Sequence, residues 1–174
     1  MVSHEKTNVL SILVRNEPNV TAKLGTLFGR RGFNIDSFAA SPTNDRGQTR
    51  ITIVTTGDDH KFNQILTQTA KQDFVISIDP LIAEKSIYRE LLLLKVKAGK
   101  RERSEIKEIV EIYRGRIVDL SKKSLIVEMT GDSVKIDGFL QMMEGFELID
   151  VCRTGITGIS RGDYGISDSH DDIE

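Results

Sequence analysis

The residues best placed for chemistry form a short polar turn, Arg15-Asn16-Glu17-Pro18-Asn19-Val20, between a strand-like apolar run and a helix-like one. The first backbone N–H groups of a helix have no partner within it, and the aligned peptide dipoles make that end partly positive. A carboxylate suits such an end. Asn34, at the start of the next predicted strand, carries an amide that both donates and accepts. Together these groups could hold a free amino acid. On spacing alone the plainer reading is stronger: Asn16 and Asn19 cap the helix and shape the turn.

Other reactive residue types occur without the spacing that chemistry needs. His4, His60 and His170 lie at the chain ends and in one loop, and no Cys or His stands at metal-ligand spacing. The glycines of Gly25-Thr26-Leu27-Phe28-Gly29-Arg30-Arg31-Gly32 fall inside a helix pattern, so they match neither a dinucleotide fingerprint nor a P-loop. They read as small packing residues. Cys152, in a predicted strand, reads as a buried and inert thiol. Lys97, Lys100, Arg101, Arg103 and Lys107 cluster without interleaved aromatics, which fits a solvated loop and helix start better than nucleic acid. Arg15 could serve a phosphate, but Asn16-Glu17-Pro18-Asn19 is no glycine-rich cradle. No catalytic residue and no metal site is expected.

The elements that hold the turn follow from periodicity. Leu10, Ile12 and Val14 alternate as a strand, then Val20, Leu24, Leu27, Phe28 and Arg31 line a helix face that stops at Gly32. Phe33 to Ala40 and Gln48 to Thr55 read as strands around the turn Asn44-Asp45-Arg46-Gly47. Asp58 or Asp59 caps a helix with face Phe62, Ile65, Leu66 and Thr69, and Phe74 to Ile78 is a last strand before Asp79-Pro80. The order βαββαβ then recurs. Leu91 to Val96 is a strand, Ile106, Ile109, Val110 and Tyr113 a helix face, and Arg116 to Leu120 with Leu125 to Met129 a hairpin. Ile136, Phe139, Leu140 and Met143 form a helix face, and Phe146 to Val151 the closing strand. The fold class is α+β: two ferredoxin-like βαββαβ domains in tandem. Halves this small bury marginal cores, and Leu13 and Phe38 point to an apolar second sheet face. A partner sheet covering such faces makes a homodimer the expectation.

Composition sets the outer limits. Across 174 residues, 24 Lys and Arg stand against 26 Asp and Glu, which gives no electrostatic reason to expect nucleic acid as a partner. The longest unbroken apolar run, Leu91 to Leu94, is far too short to span a membrane, and residues 1–6 show no signal region. A lone cysteine fits a reducing, cytoplasmic setting. Five acids and no base between Asp163 and Glu174 read as a loose tail.

Two stretches then carry a resemblance. Leu13-Val14-Arg15-Asn16-Glu17-Pro18 and Leu27-Phe28-Gly29-Arg30-Arg31-Gly32-Phe33-Asn34-Ile35-Asp36-Ser37 resemble the ACT domain of the acetolactate synthase (acetohydroxyacid synthase) small subunit. Tyr88-Arg89-Glu90-Leu91, Ile112-Tyr113-Arg114-Gly115-Arg116-Ile117-Val118-Asp119, Thr130-Gly131-Asp132-Ser133, Arg153-Thr154-Gly155 and Ser160-Arg161-Gly162-Asp163 are similar to that family's C-terminal domain. The resemblance implies an ACT domain over 8–80, a linker over 81–88, a second ferredoxin-like domain over 89–163 and an acidic tail over 164–174. It implies a regulatory subunit that activates a catalytic (large) subunit, to which thiamine diphosphate, magnesium and FAD belong. It also implies valine feedback, with Asn16, Asn19, Val20 and Thr21 of one chain and Asn34 and Ile35 of its mate around the effector. The family usually carries glycine where this chain has Asn19. The charged groups Arg89, Glu90, Arg114, Asp119, Arg153, Arg161 and Asp163 read either as ion pairs and turn closures or as docking residues. A stand-alone ACT-type amino-acid sensor is the alternative function, although both domains are already filled with βαββαβ elements and leave no DNA-reading helix.

Overall fold

The computed structural model describes residues 6–163 and 165–168. His4, Tyr164 and residues 169–174 of the predicted tail, His170 among them, lie outside them. The chain forms two compact units: the first runs to Ile87 and resumes at Ile156, and the second is Tyr88–Gly155. In chain order the elements are β1 (Lys6–Arg15), α1 (Val20–Arg30), β2 (Ser37–Pro42), β3 (Gln48–Gly57), α2 (Asp59–Ala70) and β4 (Val75–Leu81). A short 3-10 turn, Ala83–Lys85, leads to β5 (Ser86–Lys97), α3 (Glu102–Ile112), β6 (Arg116–Leu120), β7 (Ser124–Gly131), α4 (Ser133–Met142) and β8 (Leu148–Arg153). β9 (Thr157–Ser160) and a 3-10 turn at Ile166–Asp168 follow, in the part of the chain that rejoins the first unit.

Antiparallel pairing runs along matching four-strand paths, β2-β3-β1-β4 in the first sheet and β6-β7-β5-β8 in the second, where β9 pairs with β5 as a fifth strand. The α+β reading with two βαββαβ repeats is therefore correct. Each sheet packs one face on its helices. Leu10, Ile12 and Val14 of β1 meet Val20, Leu24 and Phe28 of α1 and Ile65 of α2. Leu92, Leu94 and Val96 of β5 meet Ile106 and Val110 of α3 and Ile136 and Phe139 of α4. Each large apolar side chain so buried contributes roughly 1.5–3 kcal/mol before the entropy of ordering is subtracted. Asp58 and Asp132 cap α2 and α4, accepting from Lys61 N at 2.8 Å and Lys135 N at 2.9 Å.

Several local expectations are corrected. β2 begins at Ser37 rather than Phe33, because Phe33 turns into the core edge-on to Phe28 at 6.2 Å and ladder pairing starts only at Ser37 with Val54. β4 continues through Asp79-Pro80 to Leu81. A proline is tolerated there because β4 is a sheet edge, where a missing N–H costs no ladder bond. Apart from the helix's own backbone, no atom of the described residues lies within 4 Å of where a Cβ would stand at Gly25 or Gly29, so these glycines do not serve packing among them. Cys152 is exposed, since β8 is an edge strand. In the described part of the predicted tail, Ile166 is buried at 8% exposure.

The second face of the first sheet also departs from expectation. Register places Val9, Ser11 and Leu13 of β1 beside Arg50, Thr52 and Val54 of β3 and Ser77, Asp79 and Leu81 of β4. Leu13 is only 2% exposed. The Ile166–Asp168 turn of the same chain lies against β1 and β4. Ser160 Oγ donates to Asp79 Oδ2 at 2.5 Å, and Arg161 N donates to the Lys85 carbonyl at 2.7 Å. In the second unit, by contrast, every residue of β6 and β8 is exposed.

Candidate functional site

The polar turn hangs from the end of the β1–β3 ladder. Arg15, the last residue of β1, stands opposite Gln48. Asn16 N donates to the Gly47 carbonyl at 2.8 Å, and Asn16 Nδ2 reaches the Arg46 carbonyl at 3.4 Å. Arg15 Nε donates to Glu17 Oε1 at 2.6 Å. These bonds moor the turn to the β2–β3 hairpin and commit the Asn16 amide nitrogen to the hairpin rather than to the helix. Asn19 is the N-cap of α1 with φ 67° and ψ 6°, a left-handed conformation that asparagine adopts more readily than most residues. Its side chain makes no capping bond. The plainer reading thus holds in part: Asn19 occupies the cap position and both asparagines shape the turn, but the Asn19 side chain makes no capping bond and the Asn16 amide goes to the hairpin.

Comparing the helix starts shows what is unusual at α1. α2 and α4 are capped by aspartates, and α3 carries Glu102 and Glu105 in its first turn. α1 has neither a side-chain cap nor an acid in its first turn. Of the four described helices, only this one leaves its positive end without a carboxylate. Thr21 is exposed beside it, whereas the Val20 side chain is buried in the core at 6% exposure and can offer a ligand only its backbone.

Asn34 and Ile35 lie in the loop ahead of β2. Asn34 is exposed, and its Nδ2 donates to Asp36 Oδ1 at 2.8 Å, while its carbonyl accepts from Thr55 Oγ1 at 2.7 Å. Asp36 also accepts from Thr56 Oγ1 at 2.8 Å. Ile35 is half-buried against the core. Thr55 and Gln48 are separated along β3 by seven residues, roughly 23 Å of strand at 3.3 Å per residue. The Asn16–Thr21 turn and the Asn34–Ile35 loop thus occupy opposite ends of the sheet in one chain. Asp36, which fixes the Asn34 amide, was not singled out from sequence. Its signal is the Asn-x-Asp spacing typical of a side-chain-closed turn.

The polar residues of the second unit serve mainly its own structure. Glu90 is 3% exposed and accepts from both Arg153 and Ser133, and Arg153 Nη1 donates to Asp137 Oδ1 at 2.7 Å. The hydrogen bond to Glu90, above all, raises the Arg153 pKa against the opposing effect of burial. Leu91 N donates to Thr154 Oγ1 at 3.0 Å, and Thr154 N donates back to the Leu91 carbonyl at 3.1 Å. Arg114 takes a left-handed φ of 55° in the turn after α3.

Known proteins match this arrangement half by half. A family described as the AHAS small subunit-like ACT domain matches residues 10–77, and one described as the small subunit of acetolactate synthase matches 89–162. A probable acetolactate synthase small subunit of Methanothermobacter thermautotrophicus is 43% identical, covering 90% of this chain and 94% of its own length. An acetolactate synthase small subunit of Mycobacterium bovis is 40% identical, over 92% and 96%. The crystal structure of the acetolactate synthase small subunit from Thermotoga maritima superposes with a TM-score of 0.84 at 34% identity, covering 91% of this chain and 99% of that one. Two halves, each matched by its own family model and in order over nearly the full length of these relatives, place the chain in the acetolactate synthase small subunit family.

Proposed function

We propose that this small subunit activates an acetolactate synthase catalytic subunit and has no active site of its own. On this reading thiamine diphosphate, magnesium and FAD are held by the catalytic partner, and the complex works in the cytoplasm. The small subunit acts as a homodimer in which two ACT domains pair side by side. An amino acid, valine, binds at that junction. The observation that supports the effector site is the uncompensated start of α1, whose backbone N–H groups would receive a carboxylate without competition from an acid in the first turn. Asn16, Asn19, Val20 and Thr21 from one chain would meet Asn34 and Ile35 from the other. The separation of these two groups within one chain supports a site completed by a second copy. Gly25 and Gly29, one turn apart on α1 with nothing against them, leave room for a close neighbour.

An effector bridging two chains regulates only through its different affinity for different arrangements of the dimer. The test is acetolactate formation by the cognate catalytic subunit, alone and with this chain, across a valine titration. Activation that valine reverses is expected. Asn34→Ala should abolish the valine response and keep the activation. Equal valine inhibition of the variant and the parent would rule out Asn34, and no activation at all would overturn the regulatory reading.

A further inference from the structure

The loop ahead of β2 is fastened so that the Asn34 side-chain amide has one orientation. Asn34 Nδ2 donates to Asp36 Oδ1 at 2.8 Å, and Thr56 Oγ1 donates to Asp36 Oδ2 at 2.8 Å. The backbone is held as well. Asp36 N donates to the Val54 carbonyl at 2.9 Å, and the Asn34 carbonyl accepts from Thr55 Oγ1 at 2.7 Å. An ionised carboxylate only accepts, so the Asn34 amide must turn its nitrogen toward Asp36. Its oxygen is left as the open group, and none of the described residues donates to it.

From this geometry we infer that Asp36 is a positioning residue. It holds the Asn34 oxygen for the α-ammonium of the effector and so selects α-amino acids over 2-oxo acids of the same carbon skeleton. This rests on the effector reading above, in which Asn34 meets the ligand. An ammonium brings three donors to that oxygen, and the Asp36 charge beside it favours a cation. A 2-oxo acid brings a carbonyl oxygen instead, so two acceptors meet with no proton between them. Pocket size cannot separate valine from 3-methyl-2-oxobutanoate, whose apolar ends are identical. A site built to pair with a polar group rejects the analogue lacking it far more strongly than a pocket senses a methylene.

Isothermal titration calorimetry on the full chain, with valine and with 3-methyl-2-oxobutanoate, tests this. The parent should bind valine at least about a hundredfold more tightly than the oxo acid. Asp36→Asn frees the Asn34 amide to turn over, because an amide at position 36 both donates and accepts. Valine affinity should then fall about tenfold while oxo-acid affinity rises. A merely structural lesion does not move the two in opposite directions. Thr56→Val should give the same shift in weaker form, and Thr56→Ser, which keeps the hydroxyl, should restore the parent preference. A parent that binds both ligands equally would overturn the positioning role while leaving the effector site standing. So would equal weakening of both ligands, or an unchanged preference, in Asp36→Asn. A parent that binds neither ligand would overturn the effector site and the Asp36 assignment with it. If Asp36→Asn fails to fold, the two Thr56 variants decide.

Discussion

The two sheets repeat each other down to a defect. The β1–β4 ladder shifts register between Leu13 and Val14, and the β5–β8 ladder shifts between Lys95 and Val96. Aligning on that shift makes Leu10, Ile12 and Val14 the counterparts of Leu92, Leu94 and Val96, all in the cores. The second faces then differ sharply. β1 is buried on both sides from Asn8 to Val14, whereas β5 alternates between buried and accessible. Ser11, a hydroxyl, is 1% exposed, while its counterpart Leu93 is 37% exposed. Residue polarity thus fails to say which back face is covered. The cover comes from elements remote in sequence, among them the Ile166 turn on the first sheet.

The sharpest way to break the comparison is at the second unit's buried ion pair, which has no counterpart on β1. Arg153→Met leaves Glu90 buried without its cation, a loss of about 3–5 kcal/mol in urea unfolding. Replacing both residues by apolar ones of similar volume should recover much of that loss. The pH dependence has a definite sign. Because the Arg153 pKa is raised on folding, its contribution is complete below the ordinary arginine value and fades only as pH climbs through the higher folded value. From about pH 6 to about pH 9 the arginine side of the pair therefore adds no slope. A cost below about 1 kcal/mol would mean that the pair is open in solution.

Next in size is the contrast between back faces. Leu13→Ala should cost about 2–4 kcal/mol, because its side chain is covered. Leu93→Ala, on the accessible face, should stay within about 1 kcal/mol. Equal costs for the two would mean that the second sheet acquires a cover in solution, such as another chain.

Much of this was legible in sequence. Alternation at Leu10, Ile12 and Val14, the helix spacing after Val20, and Asp58 three residues ahead of the Lys61 N–H that donates to it each act through local geometry. What was not legible depends on distant partners. Whether a strand is central or at an edge is a property of the whole sheet, and that alone exposes Cys152 and admits Pro80. Ile166 is a lone apolar residue in an acidic stretch, so its burial has no local signal. Phe33 extends the apolar pattern and so puts Asn34 at an expected strand start, but Phe33 serves the core and the ladder begins later. The polar turn before α1 is legible as a motif, whereas its left-handed Asn19 and its lack of a side-chain cap emerge only from the backbone.

Asn19 offers a smaller perturbation. Asn19→Ala places a poorly tolerated side chain at φ 67° and should cost about 1–2 kcal/mol, whereas Asn19→Gly relieves the backbone. If the asparagine crowds an approaching ligand, Asn19→Gly should also lower the valine concentration needed for half inhibition. An unchanged inhibition curve would count against crowding.

The smallest effect should come from Ser11→Ala, and its sign is the informative part. Removing a buried hydroxyl that has no partner takes away a desolvation cost without breaking a bond, so stability should stay level or rise by up to about 1 kcal/mol. The reverse exchange at the equivalent site, Leu93→Ser, should change little because that position already meets water. A loss above about 1 kcal/mol on Ser11→Ala would show that the hydroxyl finds a partner when the face is closed. The buried serine would then be a fastening of the first sheet's cover rather than a force opposing it.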